Sequence, residues 1–443
     1  MTEFDLGTDI IADAAAEGRR MHALLTELYP LCRSLTGPGL RATLDRLADE
    51  MPLDITEVPS GTRVFDWTVP DEWSVDEAFI EDEAGHRIVD FRAHTLHLVG
   101  YSRPVDRWLT LEELRPHLHS MPDRPDWIPY RTTYYKDDWG FCLPHRLYER
   151  LTDGRYHAVV RSTLAPGAMT IAECVHRGER NDEVLLFAHT CHPSLANDNL
   201  SGLVVSARLA AYLRGRATRY TYRFVLAPAT IGSITWLALH ASELHRIRHG
   251  LVLSLLGDRG PLNYKRSRFG NAGIDRAAIH VLQRYHAGGR VIDFSPWGYD
   301  ERQFGSPGIA LPVGRLTRTP NGEFPEYHTS ADDPSFVTAD ALGESWLACL
   351  RILNVLENNA RYRNLSPFGE PQLGRRGLYR STGGYQDIPD RQLAMLWTLN
   401  QSDGHHSLLD IAERSGLAFD SLHAVAGELV RAGLLTVEDP SAT

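Results

Sequence analysis

Residues 183–202 read EVLLFAHTCHPSLANDNLSG, an apolar strand that stops at a histidine, crosses a short polar loop and starts a helix just after an aspartate. A strand end of this kind is a rigid frame for a metal ion. His189 offers an imidazole from the strand and Asp198 a carboxylate from the turn before the helix, two ligand types that suit zinc. Where their partners lie decides the rest of the reading.

Composition sets outer limits. With 443 residues, 43% hydrophobic and 23% charged, the chain is long enough for two or three domains and at least one large core. No apolar run approaches the roughly 20 residues of a membrane span. The N-terminal MTEFDLGTDIIADAAAEG is acidic and lacks the basic and apolar regions of a signal peptide, so a cytoplasmic location is expected. Five scattered cysteines, with no CxxC pair, fit reduced thiols better than a disulfide framework. A formal charge of -11 argues against nucleic acid or an anionic membrane as the main partner.

Three blocks follow one another. Met21 to Leu31 and Leu40 to Leu47 carry apolar residues at helical spacing, split by Thr36-Gly37-Pro38-Gly39. From Ile55 to about Tyr130 come short strand-like runs (Thr62–Thr68, Asp76–Glu81, Arg87–Phe91, Thr95–Val99) broken by Pro, Gly and acidic turns, as in a small β-rich insertion. Strand and helix patterns then alternate. Strands are expected at Tyr156–Thr163, Met169–Val175, Val184–Ala188, Tyr222–Leu226 and Gly250–Leu256, and helices at Leu200–Leu213, Ile234–His245, Asp275–Tyr285 and Ala339–Asn358. This is the pattern of an α/β fold, a mostly parallel sheet with helices on both faces. The expected division is an α/β domain of residues 1–54 and 131–375, an inserted β-rich domain of residues 55–130, and a C-terminal domain of residues 385–443.

A Gly/Arg-rich stretch, Gly369 to Gly384, reads as the linker to that last domain. Helical patterns at Asp390–Leu399, Ser407–Ser415 and Asp420–Ala432, then Gly433-Leu434-Leu435-Thr436-Val437, outline a winged helix, whose functional reading is DNA binding. Charge opposes it. Ile388 to Pro440 holds eight acidic residues and three arginines, the wrong sign for phosphate. A protein-contact or dimerisation role fits better, and a homo-oligomer is compatible with it.

In an open α/β sheet the ligand lies at the carboxyl edge of the strands. The run Tyr222–Leu226 leads into Ala227-Pro228-Ala229-Thr230-Ile231-Gly232-Ser233, and Gly250–Leu256 into Gly257-Asp258; a late loop, GEFPEYHTSADD, presents His328. His189, Asp198, Asp258 and His328 are therefore expected along one edge.

With HTCHPSLANDNLSG, APATIGS, LLGDRGPLNYKRS, DFSPWGYDERQFGSPG and GEFPEYHTSADD in this order, the chain resembles the bacterial aminopeptidase-like domain proteins of peptidase clan MH, distant relatives of zinc aminopeptidases and glutaminyl cyclases. The resemblance covers nearly the whole chain, including the inserted β domain and the winged helix. It implies a zinc site with His189, Asp198 and His328 as ligands and Asp258 as a ligand of a second ion. Proteins similar to this one carry glutamate in a PETIGS motif, where this chain has Ala229. In clan relatives that carboxylate completes the metal shell or takes the proton of the attacking water. Alanine does neither. The position reflects a natural loss or a deliberate substitution, and the intact Pro228 and Thr230-Ile231-Gly232-Ser233 favour the latter.

Bound zinc would bring the pKa of its water to about 7 and polarise the carbonyl under attack. Glu323 and Glu326 are the acids near His328 that could serve as base, though each also reads as a solvated loop carboxylate. His192 is a candidate ligand or substrate contact. Cys191 as a nucleophile is disfavoured, since nothing lowers its pKa visibly. Asp300 and Arg302 are candidates for binding a substrate amine and carboxylate, and Tyr264, Lys265 and Arg318 for other substrate contacts. Tyr134, Tyr135 and Trp139 read as an aromatic wall or a domain-interface core. The expected function is a zinc-dependent aminopeptidase-like hydrolase of an amide or peptide bond next to a free amine. It would act on a small molecule or short peptide, for instance an aminoacylated metabolite or sugar, and be impaired as it stands by Ala229. The alternatives are a metal-containing binding protein without catalysis and, further off, a DNA-binding regulator.

Overall fold

The computed structural model describes residues 6, 10–378 and 390–438, so the linker expected from Gly369 onward falls partly outside the described residues. At its centre is an eight-stranded mixed sheet. In chain order its strands are β1 (Asp54–Pro59), β2 (Ala168–His176), β3 (Glu183–His189), β4 (Thr221–Ala227), β5 (Ile247–Leu253), β6 (Asn263–Lys265), β7 (Val291–Ile292) and β8 (Val313–Thr317). Across the sheet they run β1-β2-β4-β3-β5-β8-β6-β7. The middle of the sheet, β4-β3-β5-β8, is parallel, while β1, β2 and β6 join antiparallel.

The alternation of side chains along β3 explains why it is central. Val184, Leu186 and Ala188 pack into one core with the helices Ile10–Leu28, Ser201–Leu213, Gly273–Tyr285 and Ala339–Asn358. Leu185 and Phe187 pack into the other, with the helix Ile231–Leu239 and the inserted domain. A strand buried on both faces is apolar along its middle: every residue of β3 is buried, Val184 to Ala188 are apolar, and Glu183 at its start is met by Arg223. Its polar end, His189, is therefore held at the sheet edge by two cores.

The sequence expectations hold for the helices and the central strands but shift at the insertion. Asp54–Pro59 pairs with β2 in the large sheet. The strand expected at Tyr156–Thr163 as part of the α/β alternation pairs instead with Glu72–Asp82 and Val105–Thr110 in the small sheet. The small sheet thus draws strands from Glu72 through Ala165, beyond the 55–130 span, because its longest partner arrives late in the chain. Thr95–His97 is a short 3-10 helix rather than a strand, capped by the His94 ring accepting from Leu96 N–H. The strands β6, β7 and β8 were not expected; two of them have three residues or fewer, too short for periodicity to register.

The C-terminal unit has the three expected helices, Asp390–Gln401, Leu408–Ser415 and Phe419–Arg431. A three-stranded sheet in the order Asp403–Ser407, Arg361–Asn364, Leu435–Glu438 completes it. It is fastened to the helix Gly273–Tyr285: Arg276 donates to Asp410 and Glu413, Tyr285 OH to Asp420, and Phe419 N–H to His280. Among the described residues no helix is long and apolar enough to cross a membrane.

Candidate metal centre

The loop after β3 gathers the centre. In the run Asn197-Asp198-Asn199 the outer side chains tie the turn to its surroundings and the middle one is left to face inward. Asn197 Oδ1 accepts from Gly257 N–H at 2.8 Å. Asn199 donates to Leu253 O at 3.0 Å and accepts from Gly202 N–H at 3.2 Å. The buried Asp332 carboxylate takes the N–H groups of Asn197 (2.6 Å) and Asp198 (3.0 Å), which fixes the turn. The Asp198–Asn199 peptide is cis.

So placed, Asp198 joins two imidazoles. Its Oδ1 accepts from His189 Nε2 and its Oδ2 from His328 Nε2, each at 2.9 Å. His192 Nε2 lies 3.7 Å from Oδ2, and one ligand atom from each of His189, His192 and Asp198 falls within 4.8 Å of the others. His189 and Asp198 are fully buried, whereas the His328 side chain is 33% exposed, so the cluster opens toward solvent on the His328 side. Burial would raise the Asp198 carboxyl, but the His192, His189 and His328 rings outweigh it and hold the group well below the usual carboxylate range. Burial drives His192 down to about 3, leaving a neutral ring with one lone pair for a cation. Histidine and carboxylate in this number are a donor set that fits zinc.

Aromatic rings set the planes. Tyr299 stacks on His189 (centroids 5.0 Å apart) and Tyr327 on His328 (3.9 Å), and the Tyr299 hydroxyl donates to that of Tyr327 at 3.3 Å. From the inserted domain Tyr130 reaches in: its OH contacts His192 Nδ1 at 3.0 Å and its N–H donates to the His328 carbonyl at 2.9 Å. A bridge between Pro129 and Thr329 extends this join. His192, Thr230 and His328 all have left-handed backbones, with φ of 93°, 63° and 57°, a costly conformation for such residues that concentrates at functional sites.

Around the fourth corner the structure departs from expectation. Ala229 is half-buried, and its N–H donates to Cys191 Sγ at 3.2 Å. Burial pushes the Cys191 thiol up to about 12, so it is no nucleophile at neutral pH. Asp300, buried, accepts from Thr230 N–H (2.8 Å) and Ser233 Oγ (2.6 Å) through Oδ1, while its Oδ2 has no partner. Burial raises its carboxyl, with His189 acting the other way.

Other expected site residues make their contacts elsewhere. Asp258 spends its oxygens on Thr319 N–H and Oγ1, Gly260 N–H and Asn197 Nδ2, behind the ligand turn rather than in the cluster. Tyr264 is in the core, donating to Asp275 at 2.8 Å. Lys265 uses all three protons on Ser295 O, Trp297 O and Glu301. Arg318 binds Gly260 O, Ala341 O, Ser345 Oγ and Glu344, anchoring the helix Ala339–Asn358. Arg302 lies over the exposed Trp297 ring. Glu323 pairs with Arg290 at the surface, and Glu326 borders a separate cavity of about 670 Å³ with Asp258 and Trp127; neither carboxylate joins the cluster. Trp139 stacks on His117 inside the insertion, whereas Tyr134 does reach the site, its hydroxyl 3.1 Å from that of Tyr130. Tyr130, Tyr299, Tyr327 and Asp332 were not singled out in the sequence; only adjacency to Asp300 and His328 could have marked the last three.

Residues 22–359 match the family described as Domain of unknown function (DUF4910), and residues 360–437 match a winged helix-turn-helix family. A Clostridium acetobutylicum protein, named for polysaccharide biosynthesis and an aminopeptidase-like domain, is 47% identical over 425 residues, covering 96% of this chain and 98% of that protein. A crystal structure from the same organism, described as that of a presumed peptidase, superposes with a TM-score of 0.92 at 45% identity, covering 97% of this chain and 98% of the other. The Bacillus subtilis zinc aminopeptidase BSAP shares the fold at 12% identity, with a TM-score of 0.56 over 76% of this chain and 94% of its own. The chain belongs to the DUF4910 family, as an aminopeptidase-like domain protein with a C-terminal winged helix.

Proposed function

We propose that this chain is a zinc-dependent hydrolase of the aminopeptidase type, built to cleave an amide or peptide bond next to a free amine. The observation that carries the reading is the Asp198 carboxylate shared between His189 and His328 at 2.9 Å on each side, with His192 beside it. His189, Asp198 and His328 would hold the ion, and His192 is positioned to assist. Zinc, when bound, supplies an acidified water and a Lewis acid for the carbonyl.

The chain's own residues do the positioning. Asp332 locks the turn that carries Asp198, Tyr299 and Tyr327 hold two imidazole planes, and Tyr130 closes the cluster from the insertion, which restricts it to small molecules or short peptides. Proton transfer is the weak step, because Ala229 offers a methyl group where a carboxylate is expected, so activity is impaired in this form. The relative named for polysaccharide biosynthesis supports an aminoacylated sugar or related metabolite as substrate. A second reading, a metal-holding protein that binds its ligand without turnover, is favoured by the same Ala229. Metal content per chain, with turnover of a panel of aminoacyl and peptidyl amides by the chain and by Ala229→Glu, tests both. Zinc in both proteins and turnover in the variant support the hydrolase; zinc without turnover in either favours the binding protein.

A further inference from the structure

The parallel strands β3, β4 and β5 carry His189 at the far end of β3. Near their starts, at the opposite edge of the sheet, lies a cavity of about 220 Å³. Arg180, Arg219, His249 and Gly273 line it, with Asn359 and Leu409 where the chain passes into the winged helix. Leu409 N–H donates to Asn359 Oδ1 at 3.0 Å, so the C-terminal unit closes one wall.

Two guanidinium groups meet this space without a counter-charge. Arg219 donates Nη1 to Asn359 O at 3.2 Å and Nη2 to Leu356 O at 2.6 Å and Tyr220 OH at 2.9 Å. All three acceptors are neutral, and the buried Nε has no partner. Arg180 is its neighbour, its N–H donating to the Arg219 carbonyl at 2.9 Å. Among the described residues the Arg180 side chain has no hydrogen bond or ion pair. The acids close by are spent: Glu357 takes the N–H groups of Arg219 and Tyr220 and the Tyr222 hydroxyl, and Asp182 takes Arg248.

Two more groups face the same cavity. The His249 ring stands edge-on to Tyr220, centroids 5.4 Å apart, and its buried Nδ1 has no partner. Burial, then the Arg219 charge, push this ring down to about 4, so it is neutral and free to donate one N–H. Gly273 opens the helix Gly273–Tyr285, and a Cβ there would lie 2.7 Å from the His249 ring. Glycine thus lets the positive end of a helix dipole abut the imidazole. Guanidinium forks, a ring nitrogen and a helix start around one enclosed space are the donor set of a phosphate site.

We propose that this cavity binds a phosphate group, free or carried on a small metabolite, at the joint between the α/β domain and the winged helix. The site is separate from the metal centre and stands whether or not the hydrolase reading does.

The test titrates the full-length protein calorimetrically with sodium phosphate and with glycerol 3-phosphate, each against sodium chloride of matched ionic strength. One saturable site is expected, weakened by at least about tenfold in Arg180→Met. That variant loses no contact of the unliganded fold, so in buffer alone it should melt within about 2 °C of the parent. Phosphate should raise the melting temperature of the parent and leave that of Arg180→Met unmoved. Tighter binding of phosphate marks the free ion as the ligand and tighter binding of glycerol 3-phosphate an ester; either supports the site. The proposal is overturned if neither compound saturates, or if Arg180→Met binds both as the parent does, which is the result for phosphate held at the metal centre. A loss of about 5 °C or more by Arg180→Met in buffer alone also overturns it, by making Arg180 a structural brace.

Discussion

Thr230 donates its backbone N–H to Asp300 Oδ1 across 2.8 Å, and this bond anchors a buried carboxylate to the residue that follows Ala229. The other oxygen, Oδ2, is buried without a partner. An acidic side chain at 229 would start one residue from this anchor, at the entrance to the helix Ile231–Leu239. With zinc added, Ala229→Glu is expected to raise hydrolysis of an aminoacyl anilide by about 100-fold or more over the parent, the range of a restored general base. Equal rates for the two proteins, both loaded with zinc, would count against a proton-transfer role for position 229.

Asp198 is expected to be the residue on which metal binding depends most, since its two oxygens reach two imidazoles. Asp198→Asn keeps the shape and removes the charge, and should lower zinc affinity by about 100-fold or more. His189→Ala should act similarly. Elemental analysis after dialysis reads both directly; a full complement of zinc in Asp198→Asn would place the ion elsewhere.

Much of this was legible in the sequence because the strongest signals are local. The β3 run and the turn after it mark His189 and Asp198 within ten residues, and His328 stood out in an acidic, polar loop. What escaped reading depends on contacts between distant segments. Asp258 and Asp198 look alike as residues at strand ends, yet Thr319 and Gly260 claim the oxygens of Asp258, and neither neighbour is visible from its sequence position. Arg318 and Lys265 likewise look like free cations until the carbonyls around them are in place. Tyr130 comes from the inserted domain, whose register against the His328 loop no periodicity encodes.

Arg318 provides a check on that correction. As a buried brace with four partners on two segments, its replacement by alanine should destabilise the fold by about 2–4 kcal/mol, since carbonyls and a hydroxyl lose their donors. Zinc content at a temperature where the variant is still folded should be unchanged. Urea unfolding combined with metal analysis separates the outcomes: near-parent stability with weakened binding of small amides would return Arg318 to the substrate side.

The winged helix should not bind duplex DNA. The helix Phe419–Arg431, the one that would enter a groove, is docked by its first turn: Asp420 accepts from Tyr285 and Asn354, and Phe419 N–H meets His280. Two of the module's arginines, Arg391 and Arg414, are engaged by Glu428 and Gln401. Fluorescence anisotropy with mixed-sequence duplexes at low salt is expected to show no salt-dependent binding. An affinity that falls steeply with added salt would instead reveal phosphate contacts.

Stability should also depend on pH through Glu173, on β2 between β1 and β4. Burial alone would raise its carboxyl, but His240, Trp236 and Arg223 together hold it at about 2. Its ordinary value is 4.5, so the folded state binds its proton less readily than the unfolded chain. The resulting stabilisation is fully present above pH 4.5 and is lost as pH falls toward 2. His240 works in the opposite sense: burial lowers it, but Glu173 outweighs this and raises it, so its share is present below 6.5 and fades as pH rises through the folded value. The pair therefore contributes most near pH 5–6. Glu173→Gln should cost about 1–2 kcal/mol more at pH 6 than at pH 3, after allowing for partial exposure, measured by urea unfolding at the two pH values. The same penalty at both would mean that Glu173 acts through its shape and hydrogen bonds and not through its charge.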